Sequence, residues 1–261
     1  MKIRVGILVL LLLWCGGARA ADIVGFYAAS WAGLPAGKIR LKLSQERDTY
    51  RDEIAIESEG LPRWFTKFKG TGAAEGRLLA DGRARPLRYD ALYDLRKRHG
   101  SRISMRFVDR DGATIAERGP ADTSRKGPLP EVYRRDVVDP VAALANIRHR
   151  LLAAPPHAGD HFSVPVYDGA RRFDVAVAVT AVGGPDAVVR LRLTVAPIAG
   201  FKGETSEDED PDTAPRPVDV TFSNDGRLMP ESMRVSIYFL PLTVEFRHFC
   251  VSMAACTEDG H

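Results

Sequence analysis

VPVYDGARRFDVAVAV, residues 164–179, decides the fold. Val164 to Tyr167 and Arg172 to Val179 are β-type runs, and the Asp168-Gly169 pair between them tolerates the positive φ of a type I′ turn. Phe173, Val175, Val177 and Val179 recur at every second position, so they share one face of a strand. Two such runs about a tight turn predict an antiparallel hairpin with one apolar and one wet face.

The same pattern extends in both directions. Asp81-Gly82, Asp111-Gly112 and Asp225-Gly226 are further turn signals between β-type runs. Ile103, Met105 and Phe107 alternate with Ser104 and Arg106 before Asp111, and Ile115 follows it. Gly183-Gly184-Pro185 turns the chain into Val188 to Val195, where Val189, Leu191, Leu193 and Val195 alternate with Arg190, Arg192 and Thr194. Val218 to Phe222 and Met233 to Phe249 supply the last strands. The whole predicts a long antiparallel meander.

DPVAALANIRHRLL, residues 139–152, breaks the pattern. Asp139 is a good N-cap, Pro140 suits the first helical position, and Pro155-Pro156 cannot continue a helix. At 100° per residue, Val141, Leu144, Ala145, Ile147, Leu151 and Leu152 form one apolar arc, and Arg148 falls inside it. Either the stem of Arg148 packs on the sheet while its head reaches water or a carboxylate, or the guanidinium faces a pocket for an anionic ligand. Leu61, Trp64, Phe65 and Phe68 form a second, shorter stretch at helical spacing.

The N-terminus reads as a secretory signal. Lys2 and Arg4 precede the apolar run Val5 to Trp14, and Ala18-Arg19-Ala20 is a cleavage site of A-x-A type. A lipidated Cys15 is the alternative, but Trp14 stands where a lipobox needs a small residue. Cleavage after Ala20 places the protein in the periplasm. It also removes Lys2, Arg4 and Arg19, bringing the 37 basic residues level with the 34 acidic ones. Global charge then gives no reason to expect nucleic acid as a partner. Cys250 and Cys256 are the thiols that survive, and in an oxidising compartment they are expected to pair.

Charge is uneven along the chain. GETSEDEDPD, residues 203–212, reads as a solvated acidic loop. Asp208, Asp210, Asp212 and Asp219 match part of a calcium-loop spacing, but Thr213 occupies the glycine position and the last ligand is Asp rather than Glu. Residues 83–110 hold nine Lys and Arg against Asp90, Asp94 and Asp109, as expected of a wet strand face, with a patch for phosphate or an anionic polymer as the alternative. Of catalytic signatures there is no G-x-S-x-G, H-E-x-x-H or phosphate-cradling glycine loop, and His157 with His161 lacks an evident third metal ligand.

Several pieces in this order resemble the DUF3108 family of exported bacterial proteins. They are the strand pair about a glycine from Phe26 to Leu43, the aromatic stretch Gly60 to Phe68, and Pro86-Leu87-Arg88-Tyr89. Asp139-Pro140 with Ala143-Leu144 leading to Arg148, and Val164 to Gly169 leading to Arg172-Phe173, complete the set. The acidic loop and the cysteine tail depart from it. The resemblance implies an exported β-rich fold and no reaction. It also places Arg148 and Asp168 on motif positions, where they would pair if the helix packs under the hairpin.

The expectation is one mostly-β domain over residues 21–249, followed by a tail at 250–261. Its form is a long curved antiparallel sheet, open barrel or sandwich-like, with one or two short helices covering an opening. One amphipathic helix covers too little of such a sheet, so either the sheet closes on itself or its concave face stays available for an apolar ligand. Asp139, Pro140, Asp168 and Gly169 are structural candidates, and Arg148, Trp64, Phe65 and Phe68 are candidate ligand contacts. No catalytic or metal-ligating residue and no cofactor is called for. The functional expectation is a non-catalytic binding or carrier protein for a lipid-like or envelope ligand, with at most peripheral membrane contact. The alternatives are a hydrolase of envelope polymers and a structural or assembly factor.

Processing and pairing are checked together on protein recovered from its own host. Intact mass should correspond to a chain beginning at Ala21 without acylation, and thiol titration of the unreduced, denatured protein should find no free thiol. A diacylglyceryl mass on Cys15, or two free thiols per chain, contradicts the respective expectation.

Overall fold

The hairpin at residues 164–179 is one of a continuous series. The computed structural model describes residues 22–60, 67–95, 98–123, 127–183, 188–201, 217–237 and 240–251. Its strands are β1 (Ile23–Trp31), β2 (Leu34–Glu46), β3 (Thr49–Ser58), β4 (Lys69–Leu78), β5 (Ala84–Leu95), β6 (Arg98–Arg110) and β7 (Ala113–Arg118). After helix α1 (Pro140–Ala153) come β8 (His161–Tyr167), β9 (Arg172–Gly183), β10 (Val188–Ala199), β11 (Pro217–Ser223), β12 (Pro230–Ile237) and β13 (Leu240–Cys250). They form one 13-stranded sheet in the order β7-β6-β5-β4-β3-β2-β1-β13-β12-β11-β10-β9-β8, each neighbouring pair antiparallel.

β1 pairs with both β2 and β13, so the two ends of the described chain lie side by side mid-sheet. The free edges are β7 and β8, which are consecutive strands joined by the helical connection. Five residues of that connection, Arg134 to Val138, lie between them. Ala116 N–H donates to the Arg134 carbonyl (2.9 Å) and Asp136 N–H to the Thr114 carbonyl (2.7 Å). On the other side Val138 N–H donates to the Pro165 carbonyl and Tyr167 N–H to the Val138 carbonyl, both at 2.9 Å. This strap pairs antiparallel with β7 at Arg135 and parallel with β8 at Val138, and the nearly closed sheet becomes barrel-like. Pro165 suits this place, because its missing N–H lies on the strap side, which uses only its carbonyl. Register shifts at Phe26/Tyr27, Glu75/Gly76 and Arg190/Leu191 supply local bends.

Of the two ways to hide the apolar face, the structure takes closure. The main core joins α1 to β3–β11 through Tyr50, Tyr89, Met105, Phe107, Val177, Leu191 and Phe222, among others. A smaller cluster gathers Tyr27, Leu41, Leu43, Met229 and Val244, and Ile54, Leu144 and Met233 touch both. Each fully buried large apolar side chain contributes roughly 1.5–3 kcal/mol.

The helix is more deeply placed than an amphipathic cover. Val141, Ala142, Ala143, Ala145, Asn146, Ile147, Arg148, His149 and Leu151 are all buried, which includes its polar back. Leu152, expected in the apolar arc, is instead 39% exposed, because the helix is leaving the barrel there. The Asp139 carboxylate caps the start, accepting from the N–H groups of Val141 (2.9 Å) and Ala142 (2.8 Å). β4 makes room for the helix: its inward residues Gly70, Gly72, Ala74 and Gly76 are small, and a Cβ at Gly72 would stand 3.4 Å from Val141 Cγ2.

The turns divide. Asp111 and Gly112 both have positive φ, as a type I′ turn requires, whereas Gly82, Gly169 and Gly226 have it without their aspartates. The other three links run longer than two residues, and their aspartates accept backbone N–H groups instead.

Gly82 and Gly112 make a matched test. Both adopt left-handed φ (+78° and +75°), but a Cβ at Gly82 would lie 2.6 Å from the His149 carbonyl oxygen, and one at Gly112 meets nothing within 4 Å. Gly112→Ala should therefore cost only the backbone strain, about 1–2 kcal/mol. Gly82→Ala should cost a further ~1–3 kcal/mol for pushing the turn off α1. Equal losses in denaturant melts would show that the turn does not bear on the helix.

Candidate functional site

Arg148 is inside the barrel. It is 8% exposed, and its Nε donates to the Arg227 carbonyl (2.7 Å). Among the described residues no carboxylate lies within ion-pairing distance; instead it sits in the fields of Asp52 and Asp225. The expected partner Asp168 is elsewhere. Its carboxylate is occupied in its own turn, accepting from the N–H groups of Ala170 and Arg171 and from Arg171 Nε at 2.9 Å. That short local link makes the more distant pairing unnecessary. Gly169 beside it permits a close approach, since a Cβ there would lie 2.7 Å from Ile103 Cγ2.

Asp52 is the residue that sequence reasoning missed. It is 4% exposed and faces inward from β3 between Tyr50 and Ile54. A period-2 reading of Tyr50, Asp52, Ile54 and Ile56 would have found it as a charge in the apolar register. Burial pushes its carboxyl up to about 7, against the pull of Arg148 and of the Ser44 N–H. Burial pushes Asp139 up to about 7 as well, although the Ala142 and Val141 N–H groups pull it down. His149 is driven down to about 4 by burial and by Arg148. Burial also raises the Tyr50 phenol, with Asp139 and Asp52 adding to the effect. An arginine, two carboxyls and a phenol therefore share one poorly hydrated interior.

The other candidate ligand contacts disperse. Trp64 and Phe65 lie outside the described residues. Phe68 is half-buried, its ring so close to Gly70 that a Cβ there would meet it at 2.8 Å. Pro140 occupies the first turn of α1. Cys250 ends β13, and Cys256 lies outside the described residues. Asp219, the last position of the calcium spacing, is bound to Arg192 Nε at 2.9 Å, and no cluster of three metal-ligating side chains occurs among the described residues.

What the fold assembles instead is a cleft of about 420 Å³ where the strap, α1 and the ends of β5 and β8 meet. Arg83, Arg85 and Arg150 line it, together with Asp136, Asn146 and the exposed Leu79. Arg83 is braced by Asp81 (2.7 Å) and Arg85 by Asp109. Arg150 has its guanidinium 4.9 Å from the centroid of Phe162 and no ion pair among the described residues. The Asn146 amide donates to the Ala84 carbonyl (3.1 Å), tying helix to sheet at the cleft floor. Arg83 and Arg85 are thus matched by carboxylates, which leaves Arg150 as the cation of the cleft with no ion pair among the described residues, suited to one anionic group.

Comparison with known proteins bears on the fold. The profile of the family described as "Protein of unknown function (DUF3108)" matches residues 27–239. A crystal structure titled a β-barrel-like protein of domain of unknown function DUF1849, from Brucella abortus, is similar in fold at a TM-score of 0.54. Its sequence identity is 11%, over 89% of this chain and 98% of that one. No curated protein matches the chain.

The interior groups predict a pH dependence. A carboxyl raised in the folded state is stabilising below its unfolded value and loses that contribution as pH rises through about 7. Acidifying from pH 8 to 6.5 should therefore raise the melting temperature. Below 6.5 the depressed His149 opposes this, because the unfolded imidazole takes up a proton that the folded one refuses until about pH 4. Asp52→Asn should cut the 8-to-6.5 limb by about half, leaving the share of Asp139, which burial also raises to about 7. A limb unchanged in Asp52→Asn would show that Asp52 does not titrate there.

Proposed function

Taking as premise that the chain belongs to the DUF3108 family, we propose that it is an exported, non-catalytic binding protein of the cell envelope. Its ligand is lipid-like or another envelope molecule carrying an acidic group, and that group docks in the cleft of Arg83, Arg85 and Arg150. The reading is carried by the size of this cleft and by the Arg150 guanidinium in it, which has no ion pair among the described residues. At about 420 Å³ the cleft falls in the range of small-molecule sites, and it lies beside α1 rather than on a plain strand face. The signal sequence supports the address. The packed interior supports a ligand held at the barrel wall rather than swallowed whole.

Native mass spectrometry of protein purified from its host should reveal a bound acidic molecule. Arg150→Ala should reduce its occupancy about tenfold or more, with a melting curve of the ligand-free protein close to wild type. Full retention in Arg150→Ala would remove the cleft from the reading, and a wild-type protein free of any bound molecule would remove the carrier role.

A further inference from the structure

β4 is thin on both faces. Inward, Gly72 faces the helix and Gly70 the Phe68 ring; outward, Thr71 and Ala73 leave a groove of about 370 Å³ in the barrel wall. No residue lining this groove lines the cleft beside α1. Its walls carry Arg40, Lys42, Arg51 and Arg102 against Glu53 and Asp90.

Register explains the shape. Arg40 stands opposite Ala55, Ala55 opposite Thr71, Thr71 opposite Leu92 and Leu92 opposite Arg102. One row of paired residues thus crosses β2 to β6 with an arginine at each end and short side chains on β3 and β4. Four strand spacings of about 4.8 Å separate the terminal Cα atoms by roughly 19 Å, a gap that two extended arginines turned toward each other over Thr71 and Leu92 would close to the width of one small anion. The other charges are spent. Glu53 pairs with Arg51 (3.2 Å), Asp90 with Arg88 (2.5 Å) and Lys42 with Asp22 (3.1 Å). Arg40 and Arg102 have no ion pair among the described residues.

We propose that this groove binds a phosphate group bridged between Arg40 and Arg102. A single guanidinium fork satisfies both oxygens of a carboxylate, so two forks on opposite rims match a tetrahedral group with further oxygens. The exposed Thr71 hydroxyl on the floor is an additional donor. The phosphate belongs either to a small soluble molecule or to a lipid headgroup.

The full mature chain is titrated with inorganic phosphate by calorimetry in a phosphate-free buffer at low salt. In parallel it is mixed with vesicles of phosphatidylcholine containing phosphatidylglycerol. Arg40→Ala and Arg102→Ala should each weaken binding of a probe about tenfold, while Arg192→Ala on β10, five strands from β2 in the sheet, leaves it unchanged. Phosphate binding alone identifies a soluble ligand, and arginine-dependent vesicle binding identifies a headgroup; either supports the site. Absence of binding to both probes overturns it, as does an equal loss with Arg192→Ala. Loss confined to Arg150→Ala overturns it too, while leaving the reading of the helix cleft intact.

Discussion

A row of thirteen strands has two edges, and an unpaired edge is a line of N–H and carbonyl groups open to any other strand. Here both edges are satisfied by the same short strap. Arg134 contributes twice, accepting from Ala116 N–H through its carbonyl and donating from Nη1 to the Ala116 carbonyl at 2.5 Å. The side chain of Asp136 accepts from Thr114 N–H at 2.9 Å. Because the strap leads directly into Asp139, closing the sheet and starting the helix are one event in space. Everything inside the barrel depends on that junction.

The interior follows from what the junction inserts. A helix entering a barrel of this size needs a wall without side chains, and β4 supplies it with glycine and alanine at alternate positions. The helix brings Arg148 with it, and burying a guanidinium costs several kcal/mol unless hydrogen bonds and opposite charge offset it. The Arg227 carbonyl and the field of Asp52 are the compensation. The compensation is mutual, since Arg148 is also what pulls against the burial that raises Asp52.

Outside, most charges are balanced locally. Arg106 and Arg110 share Glu117, Arg110 also reaches Glu131, and Arg192 meets Asp219 across a strand pair. Exposed pairs of this kind contribute about 0–1 kcal/mol each and chiefly keep the wall free of large single-sign fields. Against such a background, three arginines without an ion pair among the described residues lie where the wall is indented. Arg150 lies at the cleft beside α1, and Arg40 and Arg102 flank the groove over β4.

The antiparallel strands, their wet and apolar faces, the helix with its Asp139 cap and the family were legible in the sequence. Each rests on short-range rules: side-chain period, turn chemistry and capping. Gly70, Gly72 and Gly76 were also in plain sight at period 2, and Asp52 stood in the apolar register of its strand, though neither means anything until an inward face is known. The pairing of β1 with β13, the strap between β7 and β8, and the choice of the Arg227 carbonyl over Asp168 as the partner of Arg148 were decided only by tertiary structure. They join residues tens to hundreds of positions apart, and the sum of curvature along thirteen strands determines which distant groups meet. Local sequence specifies the strand; closure specifies its neighbours.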